Sequence, residues 1–347
     1  MVDEKPERHR LLGIQVARGA AALLVILYHS GRGIALDQYV GFIPLRGVFN
    51  FGHAGVDFFF VLSGFIIYFV HHTDIGTPAA LPRYAWRRLT RIYPIYWVVT
   101  ASVVAITLFK PDAVELLRPA RLLASLLLLP QDGGPLLGVA WTLTHEMLFY
   151  LVFALAIVSR SLGIAAAAAW AGCVLAGMFV PLAGIWANLV AASYNMHFLI
   201  GMATAHVALR VALGRPLRLA ALGAAGFFAA GMAENAGLVA PAGLASQSLF
   251  GAAAAATVLG VAAAERQGVL RVGRAAAFFG NASYSLYLVH IVVIGLTVRL
   301  LARLHALAAL PGVAVMAVVV AVAITVGLSL YRYVERPLTR LSAGVRW

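Results

Sequence analysis

The chain has 347 residues, of which 62% are hydrophobic and 11% charged, with a formal net charge of +13 and one Cys. Soluble domains carry roughly 25% charged residues, so a globule of this size would lack the polar side chains to cover itself. The basic excess is dispersed among short segments with no continuous stripe, which argues against nucleic-acid binding, and the lone Cys173 excludes a disulfide framework or a thiolate metal site.

Residues 1–10 form a short charged tail. Arg18 lies inside the apolar stretch that follows, and no small-residue cleavage site appears, so that stretch is expected to be retained as a helix rather than removed as a signal peptide. A helix needs about 20 residues to cross a bilayer. Ten spans are expected on that basis, at 11–30, 54–70, 92–109, 139–158, 163–184, 196–212, 219–234, 243–263, 276–298 and 308–331. The predicted fold is therefore all-α, a polytopic membrane bundle of about ten transmembrane helices. The apolar runs are continuous rather than alternating, which argues against a barrel. With this topology eighteen Lys and Arg fall on inner segments and seven on outer loops. The positive-inside rule then predicts both termini in the cytoplasm, with a membrane domain over 11–337 between tails at 1–10 and 338–347.

Charge inside a span is costly, so each ionisable group there is a candidate for function. The first span carries Arg18 and His29, eleven residues apart. Eleven steps of about 100° return to nearly the same face some ~16 Å along the axis. The second span carries Asp57 near its outer start and the fourth carries Glu146 about two turns below its outer end. His29, Asp57 and Glu146 are thus expected to converge in the outer half of the bilayer. Thr142, Glu146 and Tyr150 share one helical face by their i, i+4, i+8 spacing. An imidazole beside carboxylates suits general-base chemistry and suits a transporter's proton relay equally well.

Between the second and third spans, Arg83, Arg87, Arg88 and Arg91 alternate with aromatics up to Pro94. Such a cluster serves either as a cytoplasmic anchor or as a phosphate site, because Arg binds phosphate bidentately and stacks on planar rings. Ser63, flanked by Gly64, reads as a helix-packing position rather than a nucleophile. Cys173 reads as a small core side chain rather than an acyl carrier, and His197 and His206 as structural. His290, deep in the ninth span, either lines the same cavity or makes an interhelical hydrogen bond. The sequon at Asn281 falls at an expected cytoplasmic helix start and is disregarded. No residue pair shows metal-ligand spacing.

Several segments together resemble the acyltransferase-3 family of membrane enzymes. Arg18 and His29 match its Arg-x10-His pattern, and Gly55-Val-Asp-Phe-Phe-Phe-Val-Leu-Ser-Gly-Phe65 matches its GVDxFFxxSGF signature. Arg91-Ile-Tyr-Pro94, Trp141-Thr-Leu-Thr-His-Glu-Met-Leu-Phe-Tyr150, Gly280-Asn-Ala-Ser-Tyr-Ser-Leu-Tyr-Leu-Val-His290 and Glu335-Arg-Pro337 follow in order. The Trp141 block is similar to the exopolysaccharide O-acetylase branch. Residues 163–263 carry no motif and read as scaffold, and no hydrolase-like C-terminal domain is expected, so the chemistry is expected in the membrane part.

The resemblance implies an O-acyltransferase of the bacterial inner membrane that moves acetyl from cytoplasmic acetyl-CoA to a hydroxyl of a surface or exported polysaccharide, or of a lipid-linked saccharide. It implies His29 as general base with Asp57 or Glu146 as orienting carboxylate. It further implies Arg18, Arg87, Arg88 and Arg91 on the donor, Trp141, Tyr150 and His290 toward the acceptor, and no metal. A saccharide or polar-solute transporter is the competing class, although no self-similarity between the halves supports it. A non-catalytic export-assembly protein would not require the buried charges.

Overall fold

A computed structural model describes residues 11–36, 39–180 and 182–343. The 1–10 tail and residues 344–347 lie outside the described residues. Ten long helices account for most of the chain: α1 (Leu12–Ile34), α2 (Gly55–His71), α3 (Leu81–Thr107), α4 (Trp141–Val158), α5 (Arg160–Phe179), α6 (Asn195–Arg210), α7 (Pro216–Asn235), α8 (Leu244–Arg266), α9 (Ser283–Arg303) and α10 (Gly312–Leu330). No strand occurs among the described residues. Nine helices among the described residues are long and apolar enough to cross a bilayer. Their outward faces carry exposed Leu151, Ile164, Phe179, Leu222 and Phe228, as lipid rather than water requires.

Four details differ from the sequence reading. The third span begins at Leu81, not near 92, and runs unbroken through Pro94. The arginines read as a loop cluster therefore stand on helical turns with a fixed register. The sixth expected span is only 16 residues, or ~24 Å at 1.5 Å per residue, short of a ~30 Å hydrocarbon core. The ninth span breaks at Ala282, between a short helix Arg274–Asn281 and α9. Finally, α10 does not end in a tail at 338. It continues through a wide π turn at Tyr331–Glu335 into a helix over Arg336–Ala343.

Successive helices run antiparallel, which gives the bundle a proximal end, where α1 starts, and a distal end, where it finishes. Small residues set how closely these helices approach, as expected where packing drives association in lipid. A Cβ on Gly64 of α2 would collide with the Phe198 carbonyl of α6, and one on Gly201 of α6 would collide with the Val61 carbonyl. Beside that crossing, Phe60, Phe198 and Phe149 stack at centroid distances of 4.5 and 4.6 Å. The first turn of α1 has no capping side chain of its own. Instead, the Leu12 and Gly13 amides donate to the two carboxylate oxygens of Glu265, at 2.6 and 2.8 Å, in the last turn of α8.

Candidate functional site

One stripe of α1 faces α9, and the polar chemistry of the molecule gathers along it. At the proximal half, a cavity of about 50 Å³ is lined by Arg18, Ser63, Thr142, Glu146, Tyr284 and Tyr287, with Phe59 and Phe60 as apolar walls. Glu146 Oε1 accepts from Ser63 Oγ at 3.0 Å and from Tyr150 OH at 2.6 Å. The i, i+4, i+8 spacing is thereby realised: Thr142 and Glu146 line the cavity, and Tyr150 supports Glu146 from one turn below. Tyr150 is held in turn, since Tyr84 OH donates to its carbonyl at 3.1 Å and the Arg88 guanidinium lies 5.9 Å from its ring centroid.

Arg18 and Arg91 lie within electrostatic range of one another and of Glu146 and Glu335. Two cations thus share the proximal half with two carboxylates. The buried Glu335 is presented by the π turn and accepts from Ser285 Oγ of α9 at 2.5 Å. A π turn admits one extra residue into the helical register, and here it turns the carboxylate of the Glu-Arg-Pro segment inward rather than to the surface. Arg88 Nε is buried with no hydrogen-bond partner, so a donor group stands ready for an anion. Arg87 is exposed on the outer side of the same turn. Arg83 is engaged elsewhere, in an ion pair with Asp74 that also receives His71.

At the distal half, His29 Nδ1 lies 3.0 Å from the Val25 carbonyl and 3.2 Å from Nε2 of His290. His290 is fully buried, and its Nδ1 lies 2.6 Å from the Tyr287 carbonyl. Carbonyl oxygens only accept, so each neutral ring carries its proton on Nδ1. His290 Nε2 is then a lone-pair acceptor for His29 Nδ1–H, and His29 Nε2 is left as a lone-pair nitrogen without a protein partner among the described residues. Tyr287, which lines the cavity, has its ring centroid 5.7 Å from that of His290. Tyr287 thus borders both halves, lining the cavity with Arg18 and packing against His290.

The eleven-residue spacing on α1 therefore puts both groups on the face that meets α9. The expected convergence of His29, Asp57 and Glu146 resolves into three separate partner sets, with no hydrogen bond or ion pair joining any two of them among the described residues. Asp57 turns toward α6, where His197 Nε2 lies 3.6 Å from Oδ1. His197, read as structural, therefore does have a carboxylate beside it. His145, next to Glu146, faces away to Asn195 at 2.9 Å, because adjacent helical positions point about 100° apart. Trp141 packs against Tyr194 and His145 outside the cavity lining, and His206 accepts or donates with Tyr68 OH at 2.7 Å. His290 makes the interhelical bond rather than standing free.

Sequence reasoning passed over Ser63 as a polar contact, Glu335 as a site carboxylate, and Tyr284 and Tyr287 as lining groups. All of these lie inside quoted motifs, which was the available signal. It also passed over His53 and Glu234, whose partners lie in distant segments. A second cavity of about 360 Å³ opens at the distal end near Asn188, Ser193 and Gln247. No group of three His, Cys, Asp or Glu side chains suited to a metal ion occurs among the described residues.

Residues 11–331 match the acyltransferase-3 family, described as an acyltransferase domain. A curated relative, the "Exopolysaccharide production protein ExoZ" of Rhizobium meliloti (strain 1021), is 32% identical over 314 residues, covering 84% of this chain and 91% of that protein. No solved structure matches the chain.

Proposed function

The chain belongs to the acyltransferase-3 family, and from that premise we propose that it is an O-acetyltransferase that acetylates a saccharide hydroxyl in exopolysaccharide production. The observation that carries this reading is the set of hydrogen-bond partners at His29. The Val25 carbonyl and His290 Nε2 both lie against Nδ1 and hold its proton there, which leaves Nε2 as the base at the distal end. The named relative supports a polysaccharide context.

The donor is acetyl-CoA, which supplies an activated thioester and an anionic nucleotide. The basic proximal end fits such a ligand: Arg88 has a buried nitrogen without a partner, and Arg91 and Arg18 continue the positive charge inward. Arg87 stands at the mouth. With the proximal end cytoplasmic, as the basic bias of its segments favours, both termini lie inside and the membrane is the bacterial inner membrane.

In the reaction, His29 Nε2 takes the proton of the acceptor hydroxyl as its oxygen attacks the acyl carbonyl, and the proton then passes to the departing sulfur. His290 steadies the ring in the charged state through its Nε2 lone pair. Glu146, held by Ser63 and Tyr150, balances Arg18 and keeps the cavity from binding anions indiscriminately. Asp57 stands beside His197 at the distal end rather than beside His29. Tyr150 and His290 support the site, and Trp141 borders it.

The test is transfer of label from radiolabelled acetyl-CoA to saccharide by detergent-purified protein, alongside His29→Ala. Acceptor-dependent labelling that the variant loses supports the reading. Near wild-type labelling by a folded His29→Ala protein removes the base assignment, and absence of acetyl-CoA binding to a folded wild type removes the donor.

A further inference from the structure

A second imidazole at the distal end is held as firmly as His29. His53 precedes α2 and is part-exposed, with its Nε2 2.5 Å from Glu234 Oε1 of α7. The other oxygen of that buried carboxylate accepts from Ser246 Oγ of α8 at 2.7 Å. A carboxylate that receives Ser246 on one oxygen presents an acceptor on the other, so His53 carries its proton on Nε2 and its lone pair on Nδ1. Among the described residues, no protein group hydrogen-bonds that Nδ1. The Tyr28 ring packs against both imidazoles, with centroids 4.9 Å from His29 and 5.7 Å from His53. Two imidazoles, each with one nitrogen free of protein hydrogen bonds among the described residues, therefore share one phenol as neighbour. Three long helices and the short 3-10 helix Asn50–Ala54, from widely separated parts of the chain, are needed to build this arrangement.

We propose that His53 is an acceptor-binding residue: its Nδ1 accepts a hydrogen bond from a second hydroxyl of the saccharide while His29 Nε2 faces the hydroxyl that reacts. The ligand taken here is a sugar that presents two neighbouring hydroxyls, and a sugar lacking the second is discriminated against. Glu234 and Ser246 are positioning residues that act through His53. The inference rests on the assignment of His29 as base.

The two amide replacements of His53 separate this role from a packing role. Asn places its amide near the position of Nδ1, whereas Gln places it near Nε2 and so keeps the Glu234 contact. The acceptor titrated is the saccharide fraction of cells lacking this protein, which holds the unacylated acceptor in whichever form is used, with radiolabelled acetyl-CoA at a fixed concentration. His53→Gln is expected to raise the apparent acceptor KM about ten-fold, the scale of one lost hydrogen bond, with kcat little changed. His53→Asn is expected to raise it less, Glu234→Leu as much as His53→Gln, and Glu234→Gln to restore most of the loss. Wild-type acceptor KM in His53→Gln, or a smaller defect in Gln than in Asn, overturns the inference. Loss of transfer in His29→Ala together with a normal KM in His53→Gln overturns it while leaving the base assignment intact. Full transfer by His29→Ala overturns both. A lowered melting temperature in both His53 variants, with unchanged KM, assigns the pair to packing alone.

Discussion

The two ends of the α1 stripe use opposite means to hold polar groups in an apolar surrounding. Around Arg18, full charges offset one another: Arg18 and Arg91 against Glu146 and Glu335, with Ser63, Tyr150 and Ser285 supplying the remaining hydrogen bonds. Around His29, neutral rings are fixed by backbone carbonyls, and only lone pairs face the open space. A charge-balanced region can accept an anionic ligand by exchanging partners. A region of fixed neutral rings can take one proton in one direction.

That contrast is most exposed to test at His29 itself. Replacement by Ala removes the lone pair and should cut transfer by about 10²–10⁴-fold, the usual worth of a general base, with membrane expression unchanged on an immunoblot. At the other end, Arg18→Leu leaves Arg91 as the one nearby cation facing Glu146 and Glu335 among the described residues. The donor KM should rise by roughly ten- to a hundred-fold, since a charge-assisted contact is worth about 1.5–3 kcal/mol, and Arg18→Lys should recover only part of it because the ammonium lacks the planar fork. Equal effects of Arg18→Leu and His29→Ala on kcat alone would erase the distinction between the ends.

His290→Ala tests whether the distal rings work as a pair. The His29 ring would keep only the Val25 carbonyl, and kcat should fall about ten-fold, the scale of one hydrogen bond, with donor KM unmoved. Gly64→Ala addresses neither end but the crossing beneath both. Its Cβ meets the Phe198 carbonyl, so melting should drop by an amount equivalent to about 1–3 kcal/mol, measured by thermal aggregation in detergent. Ser285→Ala should have the smallest effect, a few-fold in kcat, by leaving Glu335 one donor short.

Much of the fold is legible in the composition, because apolar runs long enough to cross lipid have little choice but to become helices. The stripe from Arg18 to His29 is legible for a similar reason, since the period of one helix determines which of its residues share a face. What the period does not contain is rotation between helices. Nothing in the Asp57 region says that its carboxylate turns toward His197 on α6, or that His29 meets His290, 261 residues away. Likewise His53 and Glu234 are 181 residues apart, each unremarked in its own segment. The π turn is illegible too, because a single extra residue in a helical turn leaves the local hydrophobic pattern almost unchanged while redirecting Glu335.

The capping of α1 by Glu265 has a consequence for how the protein is made. As α1 leaves the ribosome its leading amides are exposed, and the carboxylate that satisfies them belongs to a residue 253 positions later. Until α8 has been inserted, α1 sits in the membrane with an open terminus and with the costly Arg18 still lacking Glu335. Helix α1 therefore reaches its final state only after α8 has been made. A chain truncated before α8 should present an α1 that exchanges its leading amide protons freely and is a ready target for membrane quality-control proteases.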